Sequence, residues 1–272
     1  MSQVSQFINR QLASSLPEGS ISALNYGVLL MGLVGAITSY VIGILVYPRL
    51  AEAENTGNQK QWDKMVVTGM KIIWIISVPI QMVFLFYSRT IVQIVFERNA
   101  FDAASTDLTA VAFFYYSIGI SFSLLVGLLV QAFYSKSEMI LPMKIALFIL
   151  SVHIILNIIL VQFLYHGGLA LGSSIANSLH CILLLVFLIR KKWITMDIQY
   201  LKEVIKIVIS AAISFVSMIL IESYILLFFW PEILLIVRFF IALVIAAVIY
   251  ILILKKMQIK EVSLLRNLVK RA

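Results

Sequence analysis

The chain has 272 residues, of which 62% are hydrophobic and only 12% charged, and its formal net charge is +8. Soluble domains carry roughly 25% charged residues. A mean hydropathy of +1.03 therefore argues against a soluble globular domain and for a chain dissolved in a bilayer.

A spanning helix needs about 20 mostly apolar residues. Seven stretches qualify: 27–47, 68–87, 108–134, 140–165, 167–189, 204–229 and 233–254. They are too long, and alternate too little, for barrel strands. The expected fold class is all-α, a polytopic membrane helical bundle of about seven transmembrane helices. Residues 1–19 read as the end of a helix whose start is not in the sequence, broken at Leu16-Pro17-Glu18-Gly19-Ser20. Residues 20–192 read as a five-helix lobe. Residues 193–272 read as two further spans with a basic tail.

The first connection, Pro48 to Asp63, is polar and solvated. Pro79 is expected to kink the second span, either as a tolerated bend or as a place where a moving helix flexes. Residues 88–98 suit a short helix in the membrane interface. Asp102, with Ser105 and Thr106 close behind, is expected to cap the third span. His166-Gly167-Gly168 suits a tight hairpin between the fourth and fifth spans. Segments 193–203 and 257–271 read as amphipathic and surface-bound. Lys71, Lys144 and Arg238 lie near span ends, where they can snorkel, and Glu222 falls within or near the end of the sixth span.

Of the 21 Lys and Arg residues, 17 lie on alternate connections, beginning with the one after the first span. By the positive-inside rule that side is cytoplasmic, so Met1 is expected outside and Ala272 inside. The net charge thus reads as topology signal and contact with anionic headgroups, and no nucleic-acid partner is expected. Cys181 is alone and mid-span, with no intrachain disulfide partner. No signal peptide is visible.

Two patterns lie inside the spans. Gly35, Ser39 and Gly43 in the first span and Gly119, Ser123 and Gly127 in the third each make a stripe of small residues at i, i+4, i+8. Such stripes serve static helix packing or a surface on which helices rock. His153 and Asn157 share one face of the fourth span; Ser173, Asn177 and His180 share one face of the fifth. A hairpin would bring these faces together, as interhelical hydrogen bonding or as an ion or substrate route. Zinc is disfavoured because no His, Cys or carboxylate set has ligand spacing, and no metal or cofactor is expected. No HExxH, GxSxG or phosphate-binding GxxxxGK[ST] motif is present, so no enzyme is expected.

The run from Phe96 to Thr106, FERNAFDAAST, resembles the FERGAFDAxST segment of the MurJ/MviN family of lipid II flippases, within the multidrug/oligosaccharidyl-lipid/polysaccharide exporter superfamily. Further ordered matches are SSLPEGSISALNYG at 14–27, Pro48-Arg49-Leu50, Gln131 to Ser135, Pro142-Met143-Lys144-Ile145 and His166 to Leu171. The resemblance covers the second half of that family only. It implies one transporter lobe plus two terminal helices in the bacterial cytoplasmic (inner) membrane. The implied partners are membrane lipids, lipid II or a related lipid-linked sugar, and an N-terminal lobe from a separate chain. It places Ser22, Asn25 and Tyr26 at a substrate cavity. Family members follow the NY[AG] motif with Asp or Asn and then a cation, whereas this chain has Val28 and Leu29. Some members are described with a sodium site on the seventh, eleventh and twelfth spans. His153, Asn157 and Ser173 fall in the corresponding helices, although imidazole is a poorer sodium ligand than an amide oxygen.

Overall fold

The computed structural model describes residues 2–226, 235–259 and 261. Every regular element among them is helical, and they form two compact units. One unit holds Met1–Ile73 and Phe84–Thr195; the other holds Trp74–Val83 and Met196–Ala272.

The first unit opens with α1 (Ser2–Ala13) and α2 (Ser20–Val41). A π-helical turn, Ile42–Val46, leads into α3 (Tyr47–Asn55), whose first turn carries Pro48. Proline brings no N–H, which suits the start of a helix. α4 (Gln59–Phe86) runs on through Pro79. α5 (Ser88–Phe96) is the short amphipathic helix read from residues 88–98.

α6 (Ala103–Ser117) is capped as expected, with Asp102 Oδ1 accepting from the Ser105 N–H at 2.9 Å. That bond holds the Asp102 carboxyl below the usual carboxylate range. The third expected span is not one straight helix. α6 and α7 (Ile120–Ser135) meet at a 48° bend. The bend has a seat on a neighbouring helix: the Ser174 hydroxyl donates to the carbonyls of Tyr115 (2.6 Å) and Tyr116 (3.1 Å). Gly119 allows the approach, since a Cβ there would lie 2.6 Å from Ser174 Cα.

α8 (Ile140–Arg190) has 51 residues. At ~1.5 Å per residue it would be about 77 Å long, against the ~30 Å of a hydrocarbon core. It is folded at Tyr165 (φ 49°, ψ −132°). A Cβ at Gly168 would meet the Leu160 carbonyl oxygen at 2.2 Å, and one at Gly172 would meet Asn157 Oδ1 at 2.1 Å. Partner numbers fall as residue numbers rise, so the two arms, 140–164 and 166–190, are an antiparallel hairpin about the expected His-Gly-Gly.

This hairpin brings residues 136–140 and 190–195 to one end of the unit, where they build a polar cage. Trp62 is fully buried and donates to Ser135 Oγ at 2.9 Å. Lys136 pairs with Glu54, donates to Gln59 Oε1 at 2.8 Å, and lies 4.9 Å from the Trp62 ring centroid. Gln59 donates to the Trp193 carbonyl at 2.7 Å, and Asp63 accepts from the Thr195 N–H and hydroxyl. Lys191 pairs with Glu138 at 2.7 Å.

In the second unit, residues 74–83 of α4 pack with α9 (Ile198–Leu220) and α10 (Leu235–Lys256) around Ile75, Val78, Ile207, Ala211, Tyr250 and Leu254. A π-helical segment, Ile221–Leu226, extends α9 and contains Glu222. Pro79 leaves the carbonyl four residues before it, that of Ile75, without its helical donor. The Tyr250 hydroxyl supplies the bond at 2.9 Å. The expected surface segment 257–271 lies largely outside the described residues.

Among the described residues, four helices are long and apolar enough to cross a membrane, or five with the bent α6–α7 pair. Folding α8 into two arms and adding α2 accounts for the seven expected spans.

Candidate functional site

A cavity of about 370 Å³ with several polar lining residues lies inside the first unit. It is built where α1, α2, α6, α7 and the two arms of α8 meet. The two polar faces predicted on the hairpin do come together. His153 Nε2 lies 3.0 Å from Ser173 Oγ and 3.1 Å from Asn157 Nδ2. Ser173 donates to the Leu169 carbonyl one turn back. Asn177 and His180 line the same cavity further along the second arm.

Two members were not singled out in the sequence. Asn157 Nδ2 donates to Asn9 Oδ1 at 2.6 Å, a contact 148 residues apart in the chain. Tyr116 lines the same cavity beside Asn9 and Ser173. Asn9 sits in the short leading helix, where the only available signal was a polar residue on a half-apolar segment. Tyr116 had no signal beyond being a tyrosine near the bend.

Hydrogen bonding in the cluster is incomplete. Asn157 is fully buried, His153 is 2% exposed and His180 4% exposed. Yet His153 Nδ1, Asn157 Oδ1 and His180 Nε2 have no hydrogen-bond partner among the described residues. Buried polar atoms are nearly always paired, so each orphan calls for an explanation. Among the described residues, no group of three or more His, Cys, Asp or Glu could hold a metal ion.

A second surface runs along α2. Ser22 and Asn25 are exposed on one face, followed by Leu29 (60% exposed) and Leu33 (65% exposed). Tyr26 packs its ring against Phe96 (4.8 Å between centroids) and Phe101 (5.1 Å). The FERNAFDAAST run is therefore a folded clasp: two phenylalanines grip Tyr26, Asp102 caps α6, and Glu97 accepts from the Thr106 hydroxyl at 2.7 Å. A small space next to the cavity shares Asn9, Val28 and Tyr116 with it and adds Arg10 and Asn25. It links the α2 face to the cavity.

The small-residue stripes are used unequally. Gly119 is in close contact at the bend and Ser123 lines the cavity. A Cβ at Gly35, Gly43 or Gly127 would meet nothing within 4 Å, and Ser39 is exposed.

Comparison with known proteins gives a consistent answer. The family model described as lipid II flippase MurJ matches residues 1–243. The lipid II flippase MurJ of Burkholderia cenocepacia is 28% identical over 194 residues, covering 71% of this chain and 37% of the relative. A probable lipid II flippase MurJ of Buchnera aphidicola is 27% identical, covering 79% of this chain and 42% of the relative. The chain thus spans less than half the length of these curated relatives. Among solved structures, a lipid II flippase MurJ in an inward closed conformation superposes with a TM-score of 0.76 at 20% identity, over 93% of this chain and half of that one. A multidrug resistance MATE family transporter of the MOP superfamily, in an outward-facing conformation, gives 0.61 at 13% identity, covering 82% of this chain and 51% of that one. The fold is shared across both kinds of transporter, while the match to the family model is specific: the chain is a multi-pass membrane protein that belongs to the lipid II flippase MurJ family.

Proposed function

We propose that this chain is the C-terminal lobe, with the two terminal helices, of a flippase that moves lipid II, the undecaprenyl-diphosphate-linked peptidoglycan precursor, across the cytoplasmic membrane for cell-wall biogenesis. The family match over residues 1–243 carries the reading. The exposed α2 face with Ser22 and Asn25 supports it, because polar side chains facing lipid are costly and a facing lobe would cover them. The mechanism is alternating access, in which two lobes rock about a cavity near the midplane. No bond is made or broken, so the chain is not an enzyme. The Lys and Arg distribution supports an N-terminus outside and a C-terminus in the cytoplasm. α9 and α10 help form a groove for the lipid tail. The polar cluster around His153 and Asn157 serves as an ion or substrate route.

Half a cavity has no second gate. These 272 residues are inactive alone, and a facing N-terminal lobe is needed to complete the cavity. The test is complementation of a flippase-depleted cell, with this chain alone and together with the N-terminal half of a relative. Growth is expected only with both. Growth with the chain alone would overturn the incompleteness. No growth with either, and no lipid II binding, would favour the second reading, a truncated remnant or an accessory non-transporting membrane protein. Leu29 favours that second reading, since an exposed leucine occupies the place of the family's cation. Binding assays against other undecaprenyl-linked sugars would reveal a flippase for another polysaccharide-lipid.

A further inference from the structure

From Ser20 to Asn55 the backbone runs as one uninterrupted helical rod: α2, the π-helical turn Ile42–Val46, and α3. Its two ends are held and its middle is not. In α2, Leu30 is buried and packs with Val92, Ala110 and Phe113. A Cβ at Gly27 would lie 3.2 Å from the Tyr116 ring. Val34 is buried as well. At the other end, Leu50 and Ala53 of α3 are fully buried, and Glu54 pairs with Lys136 in the cage. Val46 is buried against α4, where a Cβ at Gly69 would lie 3.3 Å from its Cγ1. Between Val34 and Val46 the support stops. Ala36, Ser39, Gly43 and Ile44 are exposed, and a Cβ at Gly35 or Gly43 would meet nothing within 4 Å.

The π turn sits at the far limit of this open stretch, and Pro48 explains why. Proline has no N–H for the carbonyl four residues back, that of Ile44, and its ring crowds that carbonyl. The helix opens there to i→i+5 bonding, which takes up one residue more than an α-helical turn. Because both ends are fixed, the extra residue cannot be expelled and can only move along the rod. When the π turn shifts towards Gly35, each residue it passes turns by about 100° about the axis and slides by ~1.5 Å. Residues before Val34 and after Val46 keep their places. Glycine lowers the cost of passage, since it favours regular helix less than any residue but proline.

We propose that the π turn is a movable register switch. It occupies 42–46 in one state and lies nearer Gly35 in the other, and its passage rotates the segment around Ser39 while both anchored ends stay still. In transport, a role that rests on the flippase reading, this rotation changes the face that the middle of α2 presents to a facing lobe.

The test uses the whole chain in lipid nanodiscs. Cys181, a free and buried thiol, is removed by Cys181→Ala so that only introduced cysteines carry spin labels. Labels at Ser39→Cys and Glu52→Cys report the open segment against α3. Labels at Leu29→Cys and Glu52→Cys report the two anchored ends, since both positions are exposed and lie outside the open stretch. Pulsed electron–electron double resonance is expected to give two separated distance populations for the first pair and one for the second. Deleting Gly43 removes the extra residue between the anchors. It should collapse the Ser39–Glu52 distances to one population and leave the Leu29–Glu52 population single. If that deletion prevents folding, deleting Ile44 in its place tests the same count.

A single Ser39–Glu52 population in the full-length rod would overturn the switch. So would two populations that survive either deletion, or a Leu29–Glu52 distance that splits in step, since the whole rod would then be moving. Growth of flippase-depleted cells supplied with the N-terminal half of a relative separates the switch from the flippase reading. Growth with the parent chain and none with the deletion supports the role in transport, whereas growth with both overturns that role. No growth with either sinks the flippase reading, and the distances still decide the switch.

Discussion

The first unit contains two polar networks that behave in opposite ways. In the cage at the end of the hairpin, Lys136 has a carboxylate, an amide oxygen and an aromatic face; Trp62 has a hydroxyl; Asp63 has a backbone N–H and a hydroxyl. At the cavity around His153, His153 Nδ1 and His180 Nε2 have no partner among the described residues, and neither does Asn157 Oδ1, which faces Gly172. A satisfied network fixes a shape and has no capacity left for a ligand. An unsatisfied one is costly unless something occupies it. The contrast separates a cage whose polar atoms are paired from a cavity where buried ring nitrogens are not, and substitutions in the two places should fail differently.

The sharpest break comes from the hairpin on which both networks depend. Gly168→Ala would put a Cβ 2.2 Å from the Leu160 carbonyl oxygen, a backbone atom that cannot step aside. Overpacking against backbone costs about 3 kcal/mol or more. Little monodisperse protein is expected on size-exclusion chromatography, and a wild-type elution profile would refute the close packing of the arms. Next in size is the cage. Lys136→Met leaves the Glu54 carboxylate without its cation in a site where the lysine side chain is only 12% exposed. Breaking a fully buried pair costs roughly 3–5 kcal/mol. With Glu54 34% exposed, solvent screening brings the expectation to about 1–3 kcal/mol. Adding Glu54→Gln should recover part of the loss in thermal unfolding. No recovery in the double variant would show that the lysine–glutamate pair does not hold the cage.

Local chemistry was legible in the chain, and contacts between distant segments were not. Hydropathy marks spans because each segment must solve the same solvent problem alone, and 140–165 and 167–189 emerge as the two arms of α8 for that reason. Asp102 caps α6 because a cap involves only residues close together in the chain. The meeting of His153 with Ser173 followed from a short turn and helical periodicity. The bend between α6 and α7 was missed, and 108–134 read as one span, because the bend is held by Ser174, more than 50 residues away. Asn9 joins Asn157 across 148 residues, which no window along the sequence can contain. Tyr26 was assigned to a substrate cavity by resemblance, and its ring is packed between Phe96 and Phe101.

Pro79 offers a finer probe of what satisfaction means. The second unit meets the carbonyl freed by the proline with a tyrosine hydroxyl from another helix, which is how the cage treats its own polar atoms and the cavity does not. Tyr250→Phe removes that donor and should cost about 1–2 kcal/mol, as a buried acceptor loses its bond. In a Pro79→Ala background the backbone N–H restored at that position can serve the Ile75 carbonyl instead, so the same Tyr250→Phe step should cost less. Equal costs in the two backgrounds, read from thermal unfolding of four variants, would show that the hydroxyl does not fill the proline gap.

The smallest effect belongs to the rim of the cage, where Glu138 accepts from Lys191 at 2.7 Å and from the Leu141 N–H at 3.3 Å. The Lys191 hydrogen bond, followed by that backbone bond, holds the Glu138 carboxyl below its ordinary range. A carboxyl depressed in the folded state binds its proton more readily once unfolded. Its contribution to stability is therefore complete above the unfolded carboxylate range and is lost as pH falls through the lower, folded value. Thermal stability should decline on that acid limb, and Glu138→Gln should flatten the decline while leaving stability near pH 7 little changed, because exposed ion pairs contribute little. High salt should weaken the wild-type slope, since the pair is partly exposed. An acid limb that survives both Glu138→Gln and high salt would place the titration elsewhere, and the rim would then contribute nothing that pH can remove.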